Sequence, residues 1–381
     1  MDVDSERLAA TFTELCETSS PSRQEGRISR LVQRVFSELD PLEIIEDDSS
    51  GRTGSQCGNL IIRFAGALDL EPIFFSCHMD TVQPGENVRV QRDGDLFTSA
   101  GDTILGSDDK SGIAACIEAM RLLRESNRPH RPVEFVITTC EEIGLLGAKA
   151  LDPGLIRARE GYALDSTGMA RIITHAPAAN RLTITVEGVA AHAGLHPEWG
   201  VNALILAARA LTLVPGGRID EETTANFGTI SGGAASNIVP ERVVIEGEVR
   251  SHSMEKLTRV TDDIRRIFVE TVAAWSDPTG AARGKPRVQV DVHEDFPVMA
   301  LAPGHRVLRR VNAAAQSIGM HLFYEKAGGG SDANIFNGRG LATAIIATGM
   351  TNVHSTSEQV TLKDMVDLTR LLIALLTETS Y

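Results

Sequence analysis

Aromatic residues are scarce in this 381-residue chain: Trp 2, Tyr 3 and Phe 12, 4% in all. The core must therefore be filled by Ala, Val, Ile and Leu. Cationic residues are also short, with Lys and Arg at 37 against 51 Asp and Glu, a net charge of −14. A field of that sign disfavours nucleic acid and anionic membrane surfaces as partners. No apolar run approaches the roughly 18–20 residues of a membrane span; the stretch Val201 to Val214 is broken by Asn202 and Arg209. The opening Met-Asp-Val-Asp-Ser-Glu-Arg is acidic, where a secretory leader would be basic. The cysteines Cys16, Cys57, Cys77, Cys116 and Cys140 are odd in number and form no CxxC pair. They read as reduced, buried, small hydrophobes of a cytoplasmic protein.

What is present is an ordinary globular balance, 42% hydrophobic and 23% charged, in a length that suits two domains or one large one. Ile28, Leu31, Val32, Val35, Phe36 and Leu39 share one helical face. The runs Leu60-Ile61-Ile62, Ile73-Phe74-Phe75 and Val133 to Ile137 read as buried strands, with a helix from about Ser111 to Arg124 before the last. From about Asn180 the pattern becomes strict alternation, at Leu182-Ile184-Val186, Val243-Ile245-Val249 and Val288-Val290-Val292, with helices near Val201–Leu213 and Met254–Ala274. Such strands have one wet face. Ala176-Pro177-Ala178-Ala179 reads as the link into this α+β unit and Phe296-Pro297 as the return. Leu341 to Ile346 then reads as a strand and Leu362 to Leu376 as a closing helix. The simplest organisation is an α/β domain, residues 1–176 and 295–381, interrupted by an α+β domain, residues 177–294.

Five places put acids and histidines at or just after expected strand ends, where ligands bind in open α/β sheets. They are His78 with Asp80, Asp108 in Gly-Ser-Asp-Asp-Lys, Glu141 with Glu142, Asp165 in Leu-Asp-Ser, and His354. Each has a bland reading: a surface pair, a helix N-cap for Asp108, an acidic turn, a turn residue, a structural histidine. Together they sort into two zinc sites. One cation takes His78, Asp165 and Asp108; the other takes His354, Glu142 and the same Asp108. Each keeps one position for a bridging water. Two Zn²⁺ and three carboxylates leave a charge of about +1, which favours an activated water. Glu141 is left over as a general base, and Asp80 suits the carboxylate that fixes a ligand histidine's tautomer.

The ordered set HMDTV, LGSDDKSG, EEIGLLGAKAL, LDS and VHSTSE resembles the zinc exopeptidase family of peptidase T, glutamate carboxypeptidase and aminoacylase, and looks closest to its peptidase T-like branch. The resemblance implies a three-layer α/β catalytic domain with an inserted α+β lid and dimerisation domain. It implies His78, Asp108, Glu142, Asp165 and His354 as ligands of two Zn²⁺, with Co²⁺ or Mn²⁺ as alternatives, Glu141 as general base and Asp80 as the orienting acid. It implies that His192, in Gly-Val-Ala-Ala-His-Ala-Gly, binds the scissile carbonyl oxygen, in relatives often in the partner subunit's site. Asn237 falls on a substrate-contacting position. Arg250 falls on one that pairs with a substrate carboxylate, which a planar guanidinium can grip bidentately. Gly329, Gly330 and Ser331 fall on a loop bordering the substrate; Gly328 to Asn334 has neither GxGxxG spacing nor a GK[ST] ending.

The expected function is a cytoplasmic, homodimeric dizinc peptidase of small peptides, a tripeptide aminopeptidase, acting through a metal-bridging water and Glu141. N-acyl amino acid deacylase and carboxypeptidase remain open with the same site. A non-catalytic metal-binding assembly protein would lack a ligand or the base, and neither is missing. A two-metal phosphoesterase would carry more cations at the metal motifs than Lys110 alone.

Overall fold

A computed structural model describes residues 2–379, which divide into two compact units, one running through Ala176 and resuming at Met299, the other Pro177–Val298. The second unit ends next to the expected return at Phe296-Pro297, whereas the boundary drawn after residue 294 falls inside the strand Arg287–Phe296, and Ala176–Ala179 is not an open link. One strand ends at Ala176 and the next begins at Ala178, with Pro177 alone between them. A proline has no N–H to give to a ladder, so it separates the two pairings at a single residue.

The first unit is built on a nine-stranded sheet. Its centre is parallel: Val133–Thr138, Ile73–His78, Glu160–Ala163 and Ala342–Ile346 lie side by side. Antiparallel strands flank them, Leu60–Phe64 on one side and Arg171–Ala176 on the other. The continuous apolar runs arise because both faces are covered. On one face Phe75 stacks between Phe135 and Tyr162 under the long helices Ser107–Glu125 and Leu362–Thr377. On the other, Phe74 meets Phe336 of the short helix Asp332–Gly338 edge-on. This is the expected three-layer α/β arrangement. Because the central strands are parallel, His78, Thr138, Ala163 and Ile346 all end at the same sheet edge.

A small three-stranded sheet joins Val90–Asp93, Leu96–Ser99 and Gln359–Thr361. The second unit is a five-stranded antiparallel sheet in the order Gly217–Asp220, Thr223–Gly232, Arg242–Ser251, Ala178–Glu187, Arg287–Phe296. Leu182, Ile184, Val186, Val243, Ile245 and Val249 form its buried face, packed with Leu206 of helix Ala203–Leu211 and Leu257, Ile264 and Phe268 of helix Met254–Ala273. No helix of the described residues is long and apolar enough to cross a membrane.

Candidate metal centre

Strand Ile73–His78 delivers His78 to the sheet edge, 2% exposed. Its Nδ1–H donates to the backbone carbonyl of Asp80 at 2.9 Å, while the Asp80 carboxylate stands 3.6 Å away. That bond leaves Nε2 to face outward, 3.0 Å from Oδ1 of Asp108. Asp108 is not the helix N-cap. It has extended backbone, φ −84° and ψ 103°, interrupting the start of Ser107–Glu125, and this turns its side chain to the sheet edge.

Strand Val133–Thr138 leads into Cys140, at φ 53°, and the Glu141-Glu142 turn. Two buried carboxylates hold that turn. Glu25 accepts the N–H of Cys140 at 3.0 Å, and Asp80 accepts those of Glu141 at 2.9 Å and Glu142 at 3.3 Å. His354, at φ 60° in the loop after Ala342–Ile346, brings Nε2 to 3.0 Å from Oε2 of Glu142 and 3.3 Å from Oδ2 of Asp108. The two oxygens of Asp108 thus face different histidines.

The electrostatics are those of a site short of positive charge. Burial, then the negative charge of Asp165, pushes Glu141 well above the usual carboxylate range. Desolvation and the neighbouring Asp108 push Asp165, just past Glu160–Ala163, up to about 7. Asp108 and Glu142 lift His354 to about 10. Burial opposes charge on His78, but Asp108 and Asp80 outweigh it and hold the ring well above its ordinary value. Oε1 of Glu142 is buried with no hydrogen-bond partner among the described residues. His78, Asp108 and Glu142 offer donor atoms within 4.8 Å of one another. Imidazole and carboxylate donors around an orphaned oxygen fit a divalent cation, which would replace the protons.

The other candidates fare differently. Ser331 caps helix Asp332–Gly338, its Oγ accepting the Ala333 N–H and its own N–H donating to Asn334, so the hydroxyl of the Gly329-Gly330-Ser331 loop is occupied by structure. Lys110 is 1% exposed and its Nζ donates to the carbonyl of Thr18, so it is a buried support. In the second unit, His192 bridges Ile238 and the Ala193 N–H donates to the carbonyl of Asn237, bringing His192 and Asn237 together. Arg250 stands far from both. They lie beyond the Glu187–Arg242 end of the sheet, whereas Arg250 pairs with Ala179 at the other end. Eight residues of strand span about 26 Å. Arg250 also donates to Glu248 at 3.0 Å.

Glu25, Glu358 and Asp332 carry no role that the sequence alone points to. Asp332 is 3% exposed, accepts from Thr138 Oγ1 at 2.5 Å, and is pushed up to about 6 by burial. Glu358 closes the Val-His-Ser-Thr-Ser-Glu stretch that carries His354, but its partners are some 250 residues away in sequence and leave no local signal.

The fold, the donor set and the family match together define a metal-dependent peptidase. The chain belongs to the peptidase family M20/M25/M40, whose model matches residues 74–378, and within it to the peptidase T-like members. YqjE of Bacillus subtilis (strain 168), an uncharacterised protein, is 38% identical over 377 residues, 99% of either chain. The crystal structure of aminopeptidase PepT from Bacillus cereus ATCC 10987 superposes with a TM-score of 0.88 at 38% identity over 98% of both chains. That of a tripeptidase from Staphylococcus aureus gives 0.90 at 31% over 99% of both.

Proposed function

We propose that the protein is a cytoplasmic dizinc exopeptidase that removes the N-terminal residue of tripeptides. The observation that carries this reading is Asp108, whose Oδ1 and Oδ2 approach His78 and His354 separately. A carboxylate presented that way suits two cations at once; His78 and Asp165 would hold one with it, and His354 and Glu142 the other. Bound divalent cations supply Lewis-acid polarisation of the scissile carbonyl and of a water. The likeness to structures named an aminopeptidase and a tripeptidase supports the substrate class.

In this reading Glu141 takes a proton from the attacking water and passes it to the leaving amine. Asp80 holds the backbone of that base. His192 supplies a donor to the carbonyl oxygen: its Nδ1 accepts the N–H groups of Gly194 and Leu195, both at 3.2 Å, which leaves the proton on Nε2. Asn237 contacts the substrate beside it, and the Gly329-Gly330-Ser331 loop borders it through its backbone. Arg250 exchanges Glu248 for the substrate carboxylate. A tripeptide extends only about 10 Å, far less than the 26 Å or so of strand between Arg250 and the His192–Asn237 pair. One subunit therefore cannot offer both ends to one substrate, which supports a homodimer, formed through the inserted domain as a lid, with His192 acting in trans.

A panel of free-amine tripeptides and N-acylated amino acids, run on protein loaded with Zn²⁺, Co²⁺ or Mn²⁺, tests the proposal. Tripeptides should be cleaved at the first bond. Turnover of the acylated compounds alone would make the protein a deacylase.

A further inference from the structure

Outside the ligand candidates and Glu141, one buried acid is wrapped by donors from four successive residues. Glu358, 1% exposed, accepts the N–H groups of Leu105 and Gly106 on Oε2, both at 2.8 Å. Its Oε1 accepts Ser107 Oγ at 2.6 Å and the N–H of Asp108 at 3.0 Å. Gly106 lets the loop curl around the carboxylate, since its φ of 79° is strained for other residues.

Glu358 sits in the segment that carries His354. Thr351 and Gln359 exchange backbone bonds of 2.8 and 3.1 Å and close that loop. Gln359–Thr361 then pairs with Leu96–Ser99, with Val360 opposite Phe97. This pairing holds the residue after Glu358 in register, and Glu358 itself bonds to the loop that ends in Asp108.

We propose that Glu358 is a positioning residue for both metal positions: it ties the Asp108 loop to the His354 loop and so keeps each oxygen of Asp108 aimed at its own cation. The inference rests on the dinuclear reading above. A bridging carboxylate tolerates little rotation, because turning it toward one cation withdraws it from the other. The role requires an acid. A carboxylate accepts at both oxygens, whereas an amide would aim its NH₂ at two of the four donors.

The test is Co²⁺ binding to the metal-stripped full chain against a competing chelator, read by visible absorption, with melting temperature measured in parallel. Glu358→Gln should weaken both equivalents by about 10–100-fold and change the Co²⁺ band shape. Ser107→Ala, which removes one of the four donors, should weaken both by roughly three- to tenfold. Leu368→Ala, a buried core change in helix Leu362–Thr377, should lower the melting temperature and leave both affinities and the spectrum unchanged. Wild-type affinity and an unaltered spectrum in Glu358→Gln would overturn the proposal, as would weakening of one equivalent alone. If Glu358→Gln does not fold, Ser107→Ala decides by the same criterion. A wild-type protein that takes up fewer than two equivalents defeats the dinuclear reading itself, and this inference with it.

Discussion

The carboxylate of Asp80 accepts the backbone N–H of Glu141 at 2.9 Å, whereas it stays 3.6 Å from the His78 ring. The orienting bond on His78 comes from the Asp80 backbone carbonyl. The side chain therefore does more for the base than for the ligand. Asp80→Asn should keep the metal content within a factor of two by atomic emission, because the carbonyl that orients His78 remains and the bond to Glu142, at 3.3 Å, is the longer of the two the carboxylate accepts from the turn. It should lower kcat by about 10–100-fold with KM changed less than threefold, since a slightly misplaced base is costly. Metal loss with normal turnover per bound metal would restore the histidine-orienting role.

Glu141 is 9% exposed, and the proposal leaves it free of metal. Glu141→Gln should therefore retain both metal equivalents and lose about 10²–10⁴-fold in kcat. Metal analysis and steady-state kinetics on the same sample separate the two effects. A variant that loses metal in proportion to activity would make Glu141 a ligand.

Metal-free stability should fall as pH rises from about 5.5 to 8. Asp165 shifts from 3.8 up to about 7 and Asp332 from 3.8 up to about 6, so the native state holds protons there that the unfolded chain has released. His354, moved from 6.5 to about 10, has the same sign, its contribution complete below 6.5 and lost on the way to 10. Stability drops with pH wherever the native state binds more protons. Melting temperatures in chelator should decline across this range. The gap to the Zn²⁺-loaded protein should widen, because the cation needs the deprotonated ligands. Asp165→Asn should flatten the chelated profile. A chelated melting temperature that rises with pH would contradict this account.

Much of this was legible in the sequence because the relevant signals are local. The strands ending at His78 and Thr138 are mostly apolar, Ile-Phe-Phe-Ser-Cys and Val-Glu-Phe-Val-Ile, and their acids and histidines come at the end of each or within a few residues of it. The strands Thr223–Gly232 and Leu96–Ser99 have no such signal, since Thr-Thr-Ala-Asn-Phe-Gly and Leu-Phe-Thr-Ser show no sustained alternation. Only their partners define them. Lys110 stands beside a metal motif in the sequence, but its burial against Thr18 depends on the distant first helix, Ser5–Glu17. The carboxylates that hold the ligand loops, Glu25 and Glu358, escaped for the same reason. Each acts on backbone groups far away in the chain, and a backbone N–H has no letter in the sequence.

Gly147 tests how tightly the base-bearing turn is seated. A Cβ there would lie 2.2 Å from the carbonyl oxygen of Thr139 and 2.6 Å from Asn59 Oδ1. Both atoms belong to the knot beneath the turn: the Gly147 N–H donates to Thr139 at 2.9 Å, and Asn59 accepts the Thr139 N–H at 3.1 Å while donating to Gly147 at 3.0 Å. Backbone blocks the space, so rotation of a side chain cannot relieve the clash. Gly147→Ala should cost about 1–3 kcal/mol by urea denaturation and displace Glu141 and Glu142 together, lowering kcat and weakening one metal equivalent. Gly51→Ala is the control. Nothing lies within 4 Å of its Cβ, so it should leave activity alone and leave stability unchanged or higher by up to about 1 kcal/mol. Equal behaviour of the two variants would mean that the turn is not anchored through Thr139.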